Sequence, residues 1–103
     1  MNLAGLQSLL ARAPSLTLAC VGDLMLDRFV YGEVSRISPE APVPVLRTHR
    51  SVSMPGGVGN VARNLASLGT RVTLGSVAGQ DPEGRALAEL LAAEPGLTDA
   101  VHY

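Results

Sequence analysis

Apolar residues recur along the first twenty positions at two different spacings. Leu3, Leu6 and Leu10 follow the helical spacing of three to four residues, and Pro14 ends that pattern, so an N-terminal helix is predicted. The run LTLACV at 16–21 is unbroken and has the length of a buried strand. The chain therefore opens with a predicted helix followed by a predicted strand.

The apolar pattern resumes after a short interruption. Gly22 and Asp23 break it and LMLDRFVYG continues it to Gly32, so we interpret the segment as a buried strand that emerges near Asp27. Residues 33–55 differ, because they hold four of the seven prolines. Proline is poorly tolerated inside helices and central strands, which predicts edge strands or a flap that projects from the main body.

Two short runs inside this flap have the composition of strands. VPVLRT and RSVSM are predicted to pair with each other as antiparallel strands, with His49 and Arg50 near the turn. The flap would then be a small hairpin of its own.

The second half of the chain returns to regular alternation. A helix is predicted to begin at Asn60 and stop at Gly69, and a strand to follow at 71–79. Asp81 and Pro82 are predicted to start another helix as N-cap and first-turn residue. The last seven residues resemble the start of a further strand. Helices and strands thus alternate, which indicates the α/β class.

Composition narrows the class of protein. With 103 residues, of which 47% are hydrophobic, the chain can form one small domain with a core. Eight basic and nine acidic residues give a net charge of −1 without a basic stripe, which argues against a nucleic-acid partner. No apolar run reaches the roughly 18 residues of a membrane span. The single Cys20 excludes an intrachain disulfide and favours a reducing cytoplasm.

Residues 54–64, MPGGVGNVARN, combine three glycines with two asparagines beside a predicted helix. One interpretation is a dinucleotide site, since Gly57, Gly59 and Ala62 fit GxGxxA and Asp81 follows about 20 residues later. That pattern should follow directly from a strand, however, and Asp81 has a simpler role as an N-cap. A phosphate loop is disfavoured because Gly-Lys-Ser and Gly-Lys-Thr are absent from the sequence.

A sugar is the ligand that would use most of these residues. The carboxylate of Asp27 can accept hydrogen bonds from two neighbouring hydroxyls, and its burial in an apolar stretch would be costly without partners. Asn60 offers a donor and an acceptor at the helix start, and Asn64 lies one turn further on the same face. Structural roles stay open as alternatives: a turn for Asp27, an N-cap for Asn60 and solvent for Asn64.

Three segments resemble the N-terminal part of the ribokinase-like (PfkB) carbohydrate kinases. They are VGDLMLD at 21–27, PGGVGNVARNLASLG at 55–69 and GQDPEG at 79–84. Members of that family have a central sheet flanked by helices and a small β lid over the sugar. The resemblance therefore implies an α/β fold of this kind, with the lid at approximately 33–55.

Within the family, SRISPEAPVPVL at 35–46 is similar to the heptose-7-phosphate kinases of bacterial ADP-heptose synthesis, which supply lipopolysaccharide precursors. This implies transfer of phosphate from ATP, with Mg²⁺, to the anomeric hydroxyl of D-glycero-D-manno-heptose 7-phosphate. It also implies a cytoplasmic homodimer formed through the lid. The site residues expected for the sugar are Asp27, Gly56, Gly57, Asn60 and Asn64. Independently of the resemblance, Arg36 in the flap is a candidate phosphate contact, with a solvated side chain as the alternative.

The sequence departs from the family pattern at two positions and lacks one motif. Val58 stands where the family has a very small residue. In addition, the lysine that follows the second glycine in ribokinases is missing, and its absence argues against ribose as the substrate. The Gly-Ala-Gly-Asp run that carries the family's catalytic aspartate is absent. We therefore expect no catalytic base, no metal ligand and no ATP site in this chain. The base would lie beyond residue 103, in the C-terminal half.

Two other functions remain open at this stage. The parent enzyme could phosphorylate another sugar or a nucleoside. Alternatively, the chain could be an inactive domain that only dimerises through its lid strands, since an exposed β edge pairs readily with another chain.

Overall fold

The computed structural model describes residues 2–103 as a three-stranded parallel sheet, a long antiparallel hairpin and three helices. A single 3₁₀ turn, Ala13–Ser15, follows the first helix. The helices and strands are α1 (Leu3–Arg12), β1 (Thr17–Val21), β2 (Leu24–Ile37), β3 (Pro44–Gly57), α2 (Val58–Ser67), β4 (Arg71–Gly75), α3 (Pro82–Ala92) and β5 (Leu97–Asp99).

The parallel sheet has the order β1-β4-β5, and one of its faces carries the core. Alternate residues of a strand point to the same face, which places Val72 and Leu74 together on it. Both are fully buried, and they pack with Ala62 of α2 and Leu91 of α3. The α/β alternation predicted from the sequence is therefore confirmed, and the strand predicted at the end of the chain is β5.

The opposite face of this sheet is largely uncovered. Val21 of β1 is 82% exposed, and none of the residues of α1 is buried, so that Leu3 is 70% exposed. A parallel sheet is normally covered on both faces, because its crossover helices lie on each side. These exposed apolar residues need further protein to cover them, which is what a portion of a larger fold would show.

Side chains cap the starts of two helices and a glycine ends a third, and the roles of Asp81, Pro82 and Gly69 are those predicted from the sequence. The carboxylate of Asp81 caps α3 by accepting a hydrogen bond of 2.8 Å from the N–H of Gly84, and Pro82 occupies the first turn. Asn2 caps α1 in the same way through Gly5. Gly69, at a φ of 94°, follows the end of α2 in the left-handed region that favours glycine.

The hairpin differs from the sequence prediction. Residues 44–48 of VPVLRT and all of RSVSM belong to one continuous strand, β3, which pairs antiparallel with β2 along its whole length. The prediction that they pair with each other is therefore wrong. Arg50 lies opposite Tyr31, and the turn falls at residues 38–43. The antiparallel pair covers residues 24–57, which is longer than the flap predicted at 33–55.

The chain changes sheets at Gly22 and Asp23. The sequence predicted one strand interrupted by these residues, whereas β1 belongs to the parallel sheet and β2 to the hairpin. The Oγ of Ser76, just after β4, donates a hydrogen bond of 2.6 Å to the carbonyl of Gly22 and holds this corner against the sheet. The base of the hairpin therefore lies at the carboxyl ends of β1 and β4.

The final residues run beside the end of β4. Val77 and His102 form a parallel bridge, and the hydroxyl of Tyr103 donates a hydrogen bond of 2.7 Å to the carboxylate of Asp99. Burial, together with this hydrogen bond, raises the pKa of the Tyr103 phenol above its usual value. These contacts close the third strand onto the sheet.

Candidate functional site

The predicted sugar-binding residues, apart from Arg36, lie around the junction of the hairpin with α2. Asp27 is near the base of β2, Gly56 and Gly57 end β3, and α2 begins at the next residue. In open α/β sheets, ligands bind at the carboxyl ends of the parallel strands, and this junction lies at that edge. Its position in the fold therefore makes the junction a candidate ligand-binding site.

Asp27 and Gly56 are in direct contact. A Cβ added to Gly56 would come within 2.5 Å of Cγ of Asp27 and would also overlap the carboxylate oxygens. Gly56 is buried although Asp27 is exposed, because the carboxylate lies over the glycine. Only glycine leaves room for the side chain of Asp27 in this position. The two residues therefore form one structural unit.

Gly57 makes the turn from β3 into α2. Its φ of 58° and ψ of −129° suit glycine and few other residues, and it occupies the N-cap position of the helix. The next N–H, that of Val58, donates a hydrogen bond of 2.8 Å to the backbone carbonyl of Asp23. This bond fixes the start of α2 against the corner between β1 and β2.

The N-terminus of α2 carries no side-chain cap, unlike those of α1 and α3. The sequence predicted that the helix begins at Asn60 and offered an N-cap role for its side chain. The structure contradicts this role, because the helix begins at Val58 and Asn60 is its third residue. The first N–H groups of a helix lack partners inside it and attract partial negative charge. The N–H of Val58 already donates to Asp23, which leaves those of Gly59 and Asn60 for a ligand oxygen.

Asn60 and Asn64 share one face of α2, as predicted. Both are exposed, and their side chains make no hydrogen bond within residues 2–103. With about 100° per residue, they point away from the face on which Ala62 and Leu65 reach the core. Both amides are therefore free to contact a ligand or a neighbouring part of the protein.

Asp27 is more exposed than the sequence indicated. An aspartate in an apolar stretch suggested burial with partners, but alternation along β2 directs its side chain to an open face of the hairpin. The structure gives its carboxylate no hydrogen bond or ion pair among the residues that it describes. The carboxylate is thus held in place by packing on Gly56 while its oxygens stay open to a ligand.

Met25 is a neighbour of the site that sequence reasoning missed. It lies two residues before Asp27, on the same face of β2, and is 50% exposed. Its side chain would meet a Cβ on Gly57 at 3.1 Å. The alternation in LMLD carries the signal, since it places Met25 and Asp27 on one face. Met25 offers apolar surface to the C–H groups of a ligand.

Val58 does not obstruct the site. The sequence identified it as a departure from the very small residue that the family has at this position. Its side chain packs against the core, and its Cβ would lie 3.3 Å from a Cβ on Gly22. The branched side chain thus fills space behind the turn.

The dinucleotide interpretation fails on topology. The sequence indicated that no strand leads directly into the glycine segment. This prediction was wrong, since β3 continues to Gly57. That strand belongs to the antiparallel hairpin, however, whereas the dinucleotide motif needs a strand of the parallel sheet. Asp81 is used as the N-cap of α3. Neither part of the motif is in its required place.

Arg36 is not brought to this junction. It lies nine positions beyond Asp27 on β2, and a rise of roughly 3.3 Å per residue puts the two about 30 Å apart. The structure therefore places Asp27, Gly56 and Gly57 at the end of the hairpin where α2 begins, with Asn60 and Asn64 on that helix, and leaves Arg36 at the other end of the hairpin.

Within residues 2–103, no three His, Cys, Asp or Glu side chains converge as metal ligands. None of the helices described there is long and apolar enough to cross a membrane. The junction is therefore a candidate site for a polar organic ligand, built from one carboxylate, two amides and open backbone N–H groups.

Comparison with known sequences identifies the family. Residues 15–96 match the family described as pfkB family carbohydrate kinase, a range that includes the hairpin, the glycine segment and α3. The chain belongs to the pfkB family. The resemblance seen in the three sequence segments is thereby confirmed.

Curated relatives match over most of this chain. The bifunctional protein HldE of Gluconacetobacter diazotrophicus is 63% identical over 87 residues, which are 84% of this chain and 18% of that protein. The bifunctional protein HldE of Rhodopseudomonas palustris strain BisB18 is 62% identical over 79 residues, 77% of this chain and 16% of that protein. The chain thus spans less than a fifth of the length of these relatives.

Solved structures agree on the fold. A carbohydrate kinase from Agrobacterium tumefaciens superposes with a TM-score of 0.63 at 28% identity, over 84% of this chain and 26% of that one. The microbiome-derived acarbose kinase Mak1 superposes with a TM-score of 0.58 at 28% identity, over 84% of this chain and 28% of that one. The chain therefore has the α/β fold of the N-terminal portion of ribokinase-like carbohydrate kinases.

Proposed function

We propose that this chain is the sugar-binding and lid part of an ATP-dependent kinase for D-glycero-D-manno-heptose 7-phosphate. The parent enzyme would phosphorylate the anomeric hydroxyl in the bacterial cytoplasm, as a step towards ADP-heptose and lipopolysaccharide. The observation that carries the proposal is the open carboxylate of Asp27, packed on Gly56 beside the uncapped start of α2, in a pfkB chain.

The residues at the junction would hold and orient the sugar. The carboxylate of Asp27 would accept hydrogen bonds from two neighbouring hydroxyls, and the N–H groups of Gly59 and Asn60 in the first turn of α2 would donate to a sugar oxygen. Asn60 and Asn64 would add donors and acceptors from the exposed face of the helix. Orientation of this kind can supply a large part of catalysis, because it turns one hydroxyl towards the phosphoryl donor in advance.

In this proposal, the groups that carry out phosphoryl transfer itself lie outside this chain. The sequence has no glycine–lysine phosphate loop, and no metal-ligand cluster occurs in the described residues. The residues present therefore do not fit an ATP or Mg²⁺ site. The catalytic base and both cofactors belong, in this proposal, to the part of the enzyme beyond residue 103.

The choice of heptose 7-phosphate rests on two lines of support. The string SRISPEAPVPVL at 35–46 resembles the heptose-7-phosphate kinases, and curated relatives at 56–63% identity share one name, bifunctional protein HldE. The missing lysine after the second glycine argues against ribose. A kinase for another sugar or nucleoside is the alternative with the same chemistry.

An acceptor assay on the full-length protein tests this proposal. ADP release should be fastest with heptose 7-phosphate when it is compared with ribose, fructose, fructose 6-phosphate and adenosine at equal concentrations. The 103-residue chain, assayed as a control, should give no transfer, because the base and the nucleotide site are outside it. Preference for another acceptor would reject the heptose assignment and keep the kinase, whereas turnover by the short chain would reject the proposed division of the enzyme.

We further propose that the hairpin, residues 24–57, is the lid and that two copies pair through it. An isolated two-stranded hairpin is marginally stable in water, and neither outer edge of this one pairs with another strand among residues 2–103. Apolar side chains are exposed along it, with Val34 and Ile37 each at 59%. Sedimentation of the full-length protein should show a dimer that Val34→Asp weakens, with Leu3→Asp on α1 as the control. Equal behaviour of the two variants would contradict pairing through the lid.

A further inference from the structure

A recess lies at the far end of the hairpin, away from the candidate sugar site. Its volume is about 480 Å³, and both strands contribute to it. The pairing shifts between Val34 and Arg36 and leaves Ser35 without an opposite residue, which is a β-bulge. Bulges increase the local twist and re-aim side chains. The lining residues are Ser35, Arg36, Val45, Leu46 and Arg47.

The positive charge of this recess is not neutralised. Arg36 and Arg47 are exposed, and neither takes part in the ion pairs formed among residues 2–103. Glu33 lies opposite Arg47, but its carboxylate is 3.8 Å from Nε2 of His49. The hydroxyl of Ser35 adds a donor to the two guanidinium groups. Two arginines and a hydroxyl, without a carboxylate in the lining, are the donor set that suits a phosphate group.

Distance separates this recess from the sugar bound at Asp27 of the same chain. Arg36 and Asp27 are about 30 Å apart along the strand, from the rise per residue. A seven-carbon sugar phosphate is only about 10 Å long, given carbon–carbon bonds of roughly 1.5 Å. One molecule therefore cannot reach both places in one chain.

We propose that the Arg36–Arg47 recess binds a phosphate group that is not carried by the sugar held at Asp27 of the same chain. The group comes either from a sugar phosphate held by a second copy of this chain or from free phosphate. The first source rests on the proposed kinase function, whereas the second does not depend on it.

Arginine modification tests for the site directly. Phenylglyoxal reacts with exposed guanidinium groups, and peptide mass spectrometry of the full-length protein gives the rate at each arginine. With inorganic phosphate at about twice its dissociation constant, modification of Arg36 and Arg47 should slow about threefold, because only a third of the sites stay free. Arg50 is the internal control, because it lies on β3 with Arg47 but outside the recess. Its Cζ is 4.3 Å from the centroid of the Tyr31 ring.

The pattern of protection decides the proposal. Slower modification of Arg36 and Arg47 with an unchanged rate at Arg50 supports a phosphate site. No protection, or equal protection of all three arginines, overturns it, since either result leaves only diffuse attraction between charges. This measurement does not require kinase activity. The phosphate site can therefore be tested even if the proposed kinase function is wrong.

Mixed dimers distinguish the two sources. Asp27→Asn and the double variant Arg36→Ala/Arg47→Ala are each assayed alone and after mixing, with heptose 7-phosphate as the acceptor. If the phosphate belongs to the partner's sugar, each variant alone has low kinase activity. The mixture then regains about a quarter of wild-type activity, because half of the randomly formed dimers are mixed and each mixed dimer has one complete site out of two. If free phosphate is the ligand, the double variant alone keeps wild-type activity, and mixing it with Asp27→Asn restores nothing beyond the sum of the two variants.

Discussion

Replacement of Asp27 by Asn in the full-length enzyme is expected to lower kcat/KM for the sugar roughly 100-fold, which corresponds to about 2.7 kcal/mol. The change keeps the size of the side chain and removes its charge. Hydrogen bonds to a charged group are stronger than those between neutral groups, and the amide can no longer accept from two hydroxyls with both of its heavy atoms. The fold should not change, because the carboxylate makes no hydrogen bond in the described chain.

Steady-state kinetics and thermal unfolding together check this expectation. Glu33→Gln is the matched control, since it removes a negative charge from the same strand, six positions away, where the carboxylate only approaches His49. That variant should keep wild-type kinetics, and both variants should unfold near the wild-type temperature. Unchanged kinetics in Asp27→Asn would remove Asp27 from the sugar site.

The parts of this fold that the sequence predicts well are those fixed by local chemistry. Asp81 followed by Pro82 marks a helix start because a carboxylate can bond the free N–H two or three residues on, and the structure shows that bond. Gly69 marks a helix end because its left-handed conformation excludes most other residues. Neither inference needs knowledge of distant residues, so both could be read from a few positions.

The hairpin could not be predicted in the same way, because pairing depends on residues far apart in the sequence. The prolines of 33–55 argued for a short flap, yet Pro44 starts β3 and Pro55 lies near its end, where a missing N–H is tolerated. Without knowing that β2 extends to Ile37, nothing in VPVLRT or RSVSM shows that they form one strand. The register is set by the partner strand.

The candidate site shows the same division. Its candidate members could be chosen from residue type and motif, and five of the six lie at the base of the hairpin or on α2, which begins there. The sequence predicted the start of α2 at Asn60, two residues too late. Gly57 takes the N-cap position through its backbone conformation, which cannot be inferred from the sequence alone. The contact between Asp27 and Gly56 was also invisible, since it joins two strands. That contact provides the second test of the site.

Gly56→Ala is expected to impair sugar turnover as strongly as the loss of Asp27, although it adds only a methyl group. The new Cβ would lie 2.5 Å from Cγ of Asp27 and overlap the carboxylate, so the side chain must move off the position from which it would bind the sugar. We expect kcat/KM to fall roughly 100-fold, as for the direct change at Asp27. Overpacking should also lower stability by about 1–3 kcal/mol.

A double-mutant cycle isolates this contact. Because the three atoms nearest the new Cβ all belong to Asp27, Gly56→Ala should cost little further activity or stability in an Asp27→Ala background. Gly75→Ala is the control for adding a methyl group in a strand, since its Cβ would meet nothing nearer than 3.5 Å, and it should behave as wild type. If the losses from Gly56→Ala and Asp27→Ala multiply instead, the two residues act independently. Gly56 would then serve the backbone of β3, and the carboxylate would be held by other means.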